Sequence, residues 1–145
     1  MSEQDNRRLI EEAYAALNRR DLDAHLKLLD NSYVWESDTF PAPVKGSEAI
    51  RQTFNEYFNA FPDMRVEIEQ ILSSGDHIVV RYRTTGTHKG EFKGIAPTNK
   101  QIIIRGCNVH EIKNNLFTRT FGYFDRLAMR EQLGVVPAMA KAAGR

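Results

Sequence analysis

The hydrophobic period of this chain changes near residue 60, and that change restricts the fold more than any single motif does. Before it, apolar residues recur at helical spacing. In residues 4–19, Leu9, Ile10, Ala13, Tyr14, Ala16 and Leu17 fall close to the i, i+3, i+4, i+7 pattern of a helix with one buried stripe. Asp21 is placed to cap a second, short helix, DLDAHLKLLD. The β-branched and aromatic run Tyr33-Val34-Trp35 reads as a strand that Pro41 and Pro43 break. Ser47 suits the N-cap of a helix through about Phe58, which Phe61-Pro62 ends by forcing the pre-proline residue out of the α region.

After Phe61 the side chains alternate. Met64, Val66 and Ile68 interleave with Arg65, Glu67 and Glu69, as in a half-buried strand. Gly75-Asp76 marks a turn, residues 77–87 a second strand, and Gly86, Gly90 and Gly94 a bent stretch. Residues 101–112 and 116–125 read as an antiparallel pair joined by Asn114-Asn115, a type I′ turn because Asn tolerates φ > 0. A helix over 127–133 closes the pattern before Gly134 and Pro137. Helices first and long strands afterwards predict an α+β fold: a curved, antiparallel or mixed sheet with helices on one face. The expected domain is 1–137, with 138–145 a mobile tail.

Composition removes several functions. Twenty Lys and Arg against nineteen Asp and Glu leave +1, without the basic surplus that broad phosphate neutralisation needs. No apolar run approaches the roughly 18 residues of a bilayer span, and the start MSEQDNRRLIEE has no signal-peptide apolar stretch. The expectation is a cytoplasmic protein that binds neither nucleic acid nor membrane. Cys107 is the sole cysteine, and His25, His77, His88 and His110 show no HExxH spacing. Neither a zinc site nor any cofactor is therefore expected. GxSxG and GxxxxGK[ST] are likewise missing.

The motifs of the second half point to a family. FPD (61–63), GD (75–76), RYRTTGTHKGEFKGIAPTNK (81–100), YFD (123–125) and QLG (132–134) resemble the SnoaL-like polyketide cyclases, within the cone-shaped superfold named after nuclear transport factor 2. The N-terminal AxNRxD (16–21) and the Tyr33-Val34-Trp35 strand fit too. The resemblance implies a deep, mostly apolar pocket between the concave sheet face and the N-terminal helix. It also implies a homodimer paired through the outer sheet face, where Ile103, Val109, Thr118 and Phe124 are expected. Fold alone does not give function, because this scaffold hosts isomerases, hydrolases, dehydratases and binding domains.

Asp125 is the first candidate. It ends the aromatic strand Phe121-Gly122-Tyr123-Phe124, which would desolvate its carboxylate and raise its pKa toward that of a general base. It also precedes RLAMREQL as a helix N-cap would, so both roles stand open. The resemblance implies the first: the acid/base of an intramolecular aldol cyclisation. If Asn114 and Asn115 form the turn with no irregularity, 110 opposes 119, 108 opposes 121 and 104 opposes 125. That register puts Asn108, His110, Phe121, Tyr123 and Asp125 on one face. Asn108 is then a donor to a substrate carbonyl, Phe121 and Tyr123 are wall residues, and His110 is a second catalytic candidate.

Trp35, Tyr14 and Tyr57 are expected to line the cavity, the tyrosines offering hydroxyls; His88 of GTH is either a ligand contact or a loop lock. The family tends to carry Arg where Glu111 stands and Glu where Arg119 stands. That exchange keeps a cross-strand pair only if the hairpin holds a bulge. Phe121 replaces a usual Trp and Asn115 a usual Gly, departures that suggest a different substrate. The leading expectation is a cofactor-independent cyclase or isomerase removing a proton α to a carbonyl of a small apolar ligand. A hydrolase or dehydratase is the second reading, with Arg81 or Arg83 in an Asp-Arg-Asp set. A non-catalytic binding or dimerisation domain is the third.

Overall fold

The computed structural model describes residues 2–136; the expected tail at 138–145 lies outside them. Among the described residues four helices and six strands follow in the order α1 (Glu3–Asn18), α2 (Leu22–Leu26), β1 (Leu29–Ser37), β2 (Val44–Lys45), α3 (Ser47–Ala60), β3 (Arg65–Ser74), β4 (His77–Thr87), β5 (Gln101–Lys113), β6 (Leu116–Phe124) and α4 (Arg126–Leu133). The strands form one sheet in the order β2-β1-β6-β5-β4-β3. Its pairs are antiparallel except β1 with β6, which run parallel. This is the α+β, mixed-sheet architecture that the change of period predicts.

Local chemistry sets the helix starts. Ser2 and Asp5 form a capping box on α1, and the Asp21 carboxylate accepts from the Ala24 N–H at the start of α2. For α3 the structure moves the cap by one residue: Gly46, at φ 87°, occupies the N-cap without a side-chain bond, and Ser47 is the first helical residue. The buried stripe of α1 (Leu9, Ile10, Ala13 and Tyr14) packs with Ile50 of α3 against Tyr33, Ile78, Val80, Ile112 and Phe117 of the sheet. A second cluster joins Ala60, Phe61 and Phe92 to Ile102, Ile104, Met129 and Leu133. Both clusters lie on the same sheet face, which is thereby the inner one.

The hairpin between β5 and β6 corrects the expected register. Asn114 (φ 52°) and Asn115 (φ 60°) form the two-residue turn, and Lys113 opposes Leu116 as expected. Ile112 then opposes Phe117, but Glu111 opposes Arg119. Thr118 is an extra residue, a bulge whose hydroxyl donates to the Glu111 carbonyl at 3.2 Å. From there on every pair moves by one: His110 opposes Thr120, Asn108 opposes Gly122 and Gly106 opposes Phe124. Because side chains alternate with period two, the slip exchanges the faces of β6. Phe121 and Tyr123 go to the outer face, and Phe124, expected outside, goes in. Glu111 and Arg119 are opposed but not bonded; Glu111 reaches His77 at 3.1 Å and Arg119 reaches Glu36 at 3.3 Å.

Candidate functional site

Between the inner face of the sheet, α1 and α3 lies a cavity of about 150 Å³. Tyr14, Trp35, Tyr57, Asn108 and His110, all expected there, line it, and among the described residues that line it none is Asp, Glu, Lys or Arg. The walls are aromatic. Trp35 stacks on Phe54 with centroids 4.7 Å apart and meets Phe40 edge-on at 5.0 Å. Gly122 lies in the wall, and Gly106 makes room for Tyr82, which lines it. A side chain at Gly106 would collide with the Tyr82 hydroxyl, and one at Gly122 would come within 3.1 Å of Asn108 Oδ1.

On the sheet side a hydrogen-bonded chain crosses the wall. The Asn108 amide donates to the Tyr14 hydroxyl at 2.9 Å, the hydroxyl lies 2.9 Å from His110 Nε2, and His110 Nδ1 lies 2.7 Å from Thr120 Oγ1. Tyr14, His110 and Thr120 are buried, so each polar atom needs the partner it has. Burial, followed by the charge of His25, pushes His110 down to about 3, so its ring is neutral at ordinary pH. Burial likewise drives the Tyr14 phenol well above its usual value, opposed by the Asn108 bond.

Two proton arrangements satisfy these distances. In one, Tyr14 donates to Nε2 and Nδ1 donates to Thr120. In the other, Thr120 donates to Nδ1, Nε2 donates to Tyr14, and the phenol oxygen accepts from both Asn108 and His110. Only the second leaves the Tyr14 hydrogen free for a ligand oxygen in the cavity.

His25, which the sequence reading passed over, also lines the cavity. Its Nδ1 lies 3.1 Å from the Ala13 carbonyl; since a carbonyl only accepts, Nδ1 carries the proton. Burial pushes this ring down to about 4. Tyr33, Tyr82 and Thr120 are further lining hydroxyls; the first two lie in stretches that carry the family resemblance, and Thr120 lies in none. Burial pushes Tyr57 up to about 12, against a bond with Thr39.

The remaining candidates lie elsewhere. Asp125 is exposed at the start of α4, and its carboxylate accepts from the Ala128 N–H at 2.9 Å. It lines neither the cavity nor the face expected for it; the cap is the geometry that the structure gives it. Phe121 and Tyr123 border a separate outer groove with Glu36 and Pro41. His88 is fully buried but outside the cavity: the Thr98 N–H donates to its Nδ1 at 3.2 Å, and its ring packs on Phe61. Its motif neighbour Thr87 is bound by Asp63 of FPD, whose carboxylate accepts from the Thr87 N–H and hydroxyl, both at 2.7 Å. The GTH and FPD motifs thus hold a loop junction together.

Arg81 bonds Gln70 and Arg83 pairs with Glu67 on the outer face, so neither joins an Asp-Arg-Asp set in the cavity. Among the described residues no cluster of three His, Cys, Asp or Glu could hold a metal ion, and no helix is long and apolar enough to cross a membrane.

Solved structures share this architecture. AclR from Streptomyces galilaeus, described as a candidate hydroxylase, is 24% identical with a TM-score of 0.86 over 97% of this chain and 87% of its own. A candidate SnoaL-like polyketide cyclase from Jannaschia sp. CCS1 is 18% identical, with a TM-score of 0.85 over 94% of this chain and 98% of its own. IdmH from Streptomyces antibioticus, a candidate polyketide cyclase, is 25% identical with a TM-score of 0.76 over 87% and 96%. A further match carries a ketosteroid isomerase-like fold. No curated protein sequence matches significantly. The sequence profile of SnoaL-like polyketide cyclases matches residues 7–133, nearly the whole described chain. The chain belongs to the SnoaL-like polyketide cyclase family, a membership that supports a cyclase-type function.

Proposed function

We propose that this protein catalyses enolate chemistry, of the intramolecular aldol type, on a small neutral carbonyl compound. The observation that carries the reading is the Asn108–Tyr14–His110–Thr120 chain in the wall of an uncharged cavity. A phenol that accepts from both Asn108 and His110 is a polarised donor toward a third oxygen. In a dry, low-dielectric site such a donor favours the negative charge that develops on a carbonyl oxygen as its α-proton leaves. Tyr14 is the group that touches the carbonyl; His110 acts through it and is a positioning residue. The absence of charged side chains among the described residues of the wall selects against charged ligands, whose desolvation those residues would not offset. Asp125, implied by the family resemblance as acid/base, is not needed in this scheme, because its carboxylate caps α4.

The test uses a simple neutral ketone, 2-tetralone, in D₂O, with α-hydrogen exchange followed by NMR. The wild type is expected to exchange the α-hydrogens above the buffer rate. Tyr14→Phe is expected to reduce that rate by about 10²–10³, the usual loss for one oxyanion donor. His110→Gln is expected to lower kcat more than it changes KM. Unchanged exchange in Tyr14→Phe would overturn the reading.

One observation favours a second reading. His110 has both nitrogens and Tyr14 its hydroxyl satisfied within the protein, as in the wall of a pocket that only binds. Binding of 2-tetralone by the wild type without any exchange would select it.

A further inference from the structure

The cavity wall includes one imidazole that the enolate reading leaves unused. His25 sits on the five-residue α2 and is buried at 7% exposure. Its Nδ1–H is committed to the carbonyl of Ala13, so Nε2, on the far edge of the ring, carries the lone pair. Among the described residues Nε2 has no hydrogen-bond partner, and it is not among the buried polar atoms sealed from contact, which are Asn6 Oδ1 and His88 Nε2. Phe54 meets the ring edge-on at 5.2 Å and fixes its plane. Ala13 and Tyr14 are consecutive in α1, so one helical turn anchors His25 through a carbonyl and places the Tyr14 hydroxyl. Every other imidazole nitrogen in the wall belongs to His110 and is bonded.

We propose that His25 is the catalytic base of this cavity, its Nε2 taking the α-proton of a neutral ketone whose oxygen accepts from Tyr14. The inference rests on the enolate reading and deepens it by naming the proton acceptor. In the step the α-C–H bond breaks. Its proton goes to Nε2, its electron pair becomes the enolate, and the enolate oxygen is held by the Tyr14 hydroxyl. In ring closure the enolate carbon bonds a second carbonyl carbon of the same ligand, and the resulting alkoxide takes the proton back from His25. The sum is an isomerisation that needs no co-reactant. The ion pair formed midway lies within one small cavity, which limits the cost of creating charge there. The ligand class follows: an uncharged compound with two carbonyls, one of them bearing an acidic α-C–H, and a flat apolar body to lie on Trp35 and Phe54.

The experiment measures 2-tetralone exchange and, by calorimetry, 2-tetralone binding in wild type, His25→Gln and Tyr14→Phe. His25→Gln should bind within a few-fold of wild type and lose about 10²–10⁴ in exchange, the usual contribution of a positioned base. Exchange at the wild-type rate in His25→Gln, with Tyr14→Phe impaired, overturns the base assignment and leaves the enolate reading standing. Absence of exchange in the wild type overturns both. Should His25→Gln fail to fold, ¹⁵N-histidine spectra of the wild type decide. The His25 Nε2 resonance should be that of a bare nitrogen and should move on addition of 2-naphthol, an enol mimic. A bound 2-naphthol that leaves Nε2 unmoved also overturns the assignment.

Discussion

Asp125 and His25 show how differently two polar residues can be held. Asp125 has one backbone partner, the Ala128 N–H, and is otherwise exposed to water. Asp125→Asn is therefore expected to leave both α-hydrogen exchange and the urea midpoint nearly unchanged, since Asn caps as well as Asp does. Asp125→Ala should cost about 1 kcal/mol with exchange still intact. A collapse of exchange in Asp125→Asn at unchanged stability would return the acid/base role to that carboxylate. Gly106 makes a steric prediction: Gly106→Ala pushes the added carbon into the Tyr82 hydroxyl and should cost about 1–3 kcal/mol, read from a denaturant midpoint. Much of the site was legible residue by residue: Tyr14, Trp35, Tyr57, Asn108 and His110 all line the cavity. His25 was not, because DLDAHLKLLD reads only as a short helix, too short for its period to show which side is buried. What buries that ring is a carbonyl twelve residues earlier and Phe54 on another helix, and neither contact leaves a periodic trace.

Element boundaries were legible wherever a local rule fixes them. The Asn114-Asn115 turn, the Asp21 and Asp125 caps and the pre-proline end of α3 all stand where turn and cap chemistry puts them. The helix cap at Gly46 differs by one residue, because a positive φ suited Gly there better than Ser. The register of β6 was beyond reach. A bulge at Thr118 has no compositional mark; the one clue, that Glu111 and Arg119 come opposite each other only in a bulged hairpin, is no more than a single possible ion pair, and the structure does not form that pair. Deleting Thr118 should therefore be more harmful than any substitution there. The deletion would turn Thr120, Gly122 and Phe124 outward and Phe121 and Tyr123 inward. The expected result is loss of the cooperative thermal transition in circular dichroism, whereas Thr118→Ala should retain it. A deletion variant melting within a few degrees of wild type would contradict this account.

Across the whole molecule, the two cavity histidines tie stability to pH. Both are neutral in the fold, held down to about 4 and about 3, whereas an unfolded His titrates near 6.5. Between pH 6.5 and about 4 the unfolded chain binds protons that the native protein refuses. Their contribution is complete above pH 6.5 and is lost as pH falls, by up to about 1.4 kcal/mol per pH unit for each ring. Urea midpoints measured from pH 7 to 4 should fall steadily, and His25→Gln should flatten the slope. The outer face carries Ile103, Leu72 and Tyr123, each about half exposed, beside the pairs Arg83–Glu67, Arg105–Glu69 and Arg119–Glu36. Apolar surface framed by both signs of charge suits a second copy of itself, so we propose a homodimer through this face. Sedimentation at micromolar concentration should report two chains, and a monomer would count against it. The bulge at Thr118 also bears on how such proteins diverge. Substitutions at the wall can reshape the cavity one side chain at a time, so new ligands are reachable in small steps. An insertion or deletion of one residue in that hairpin instead swaps the inner face of β6 for its outer face. Lineages of this kind should therefore vary freely in what they line the cavity with, and hardly at all in the number of residues between the Asn114-Asn115 turn and Asp125.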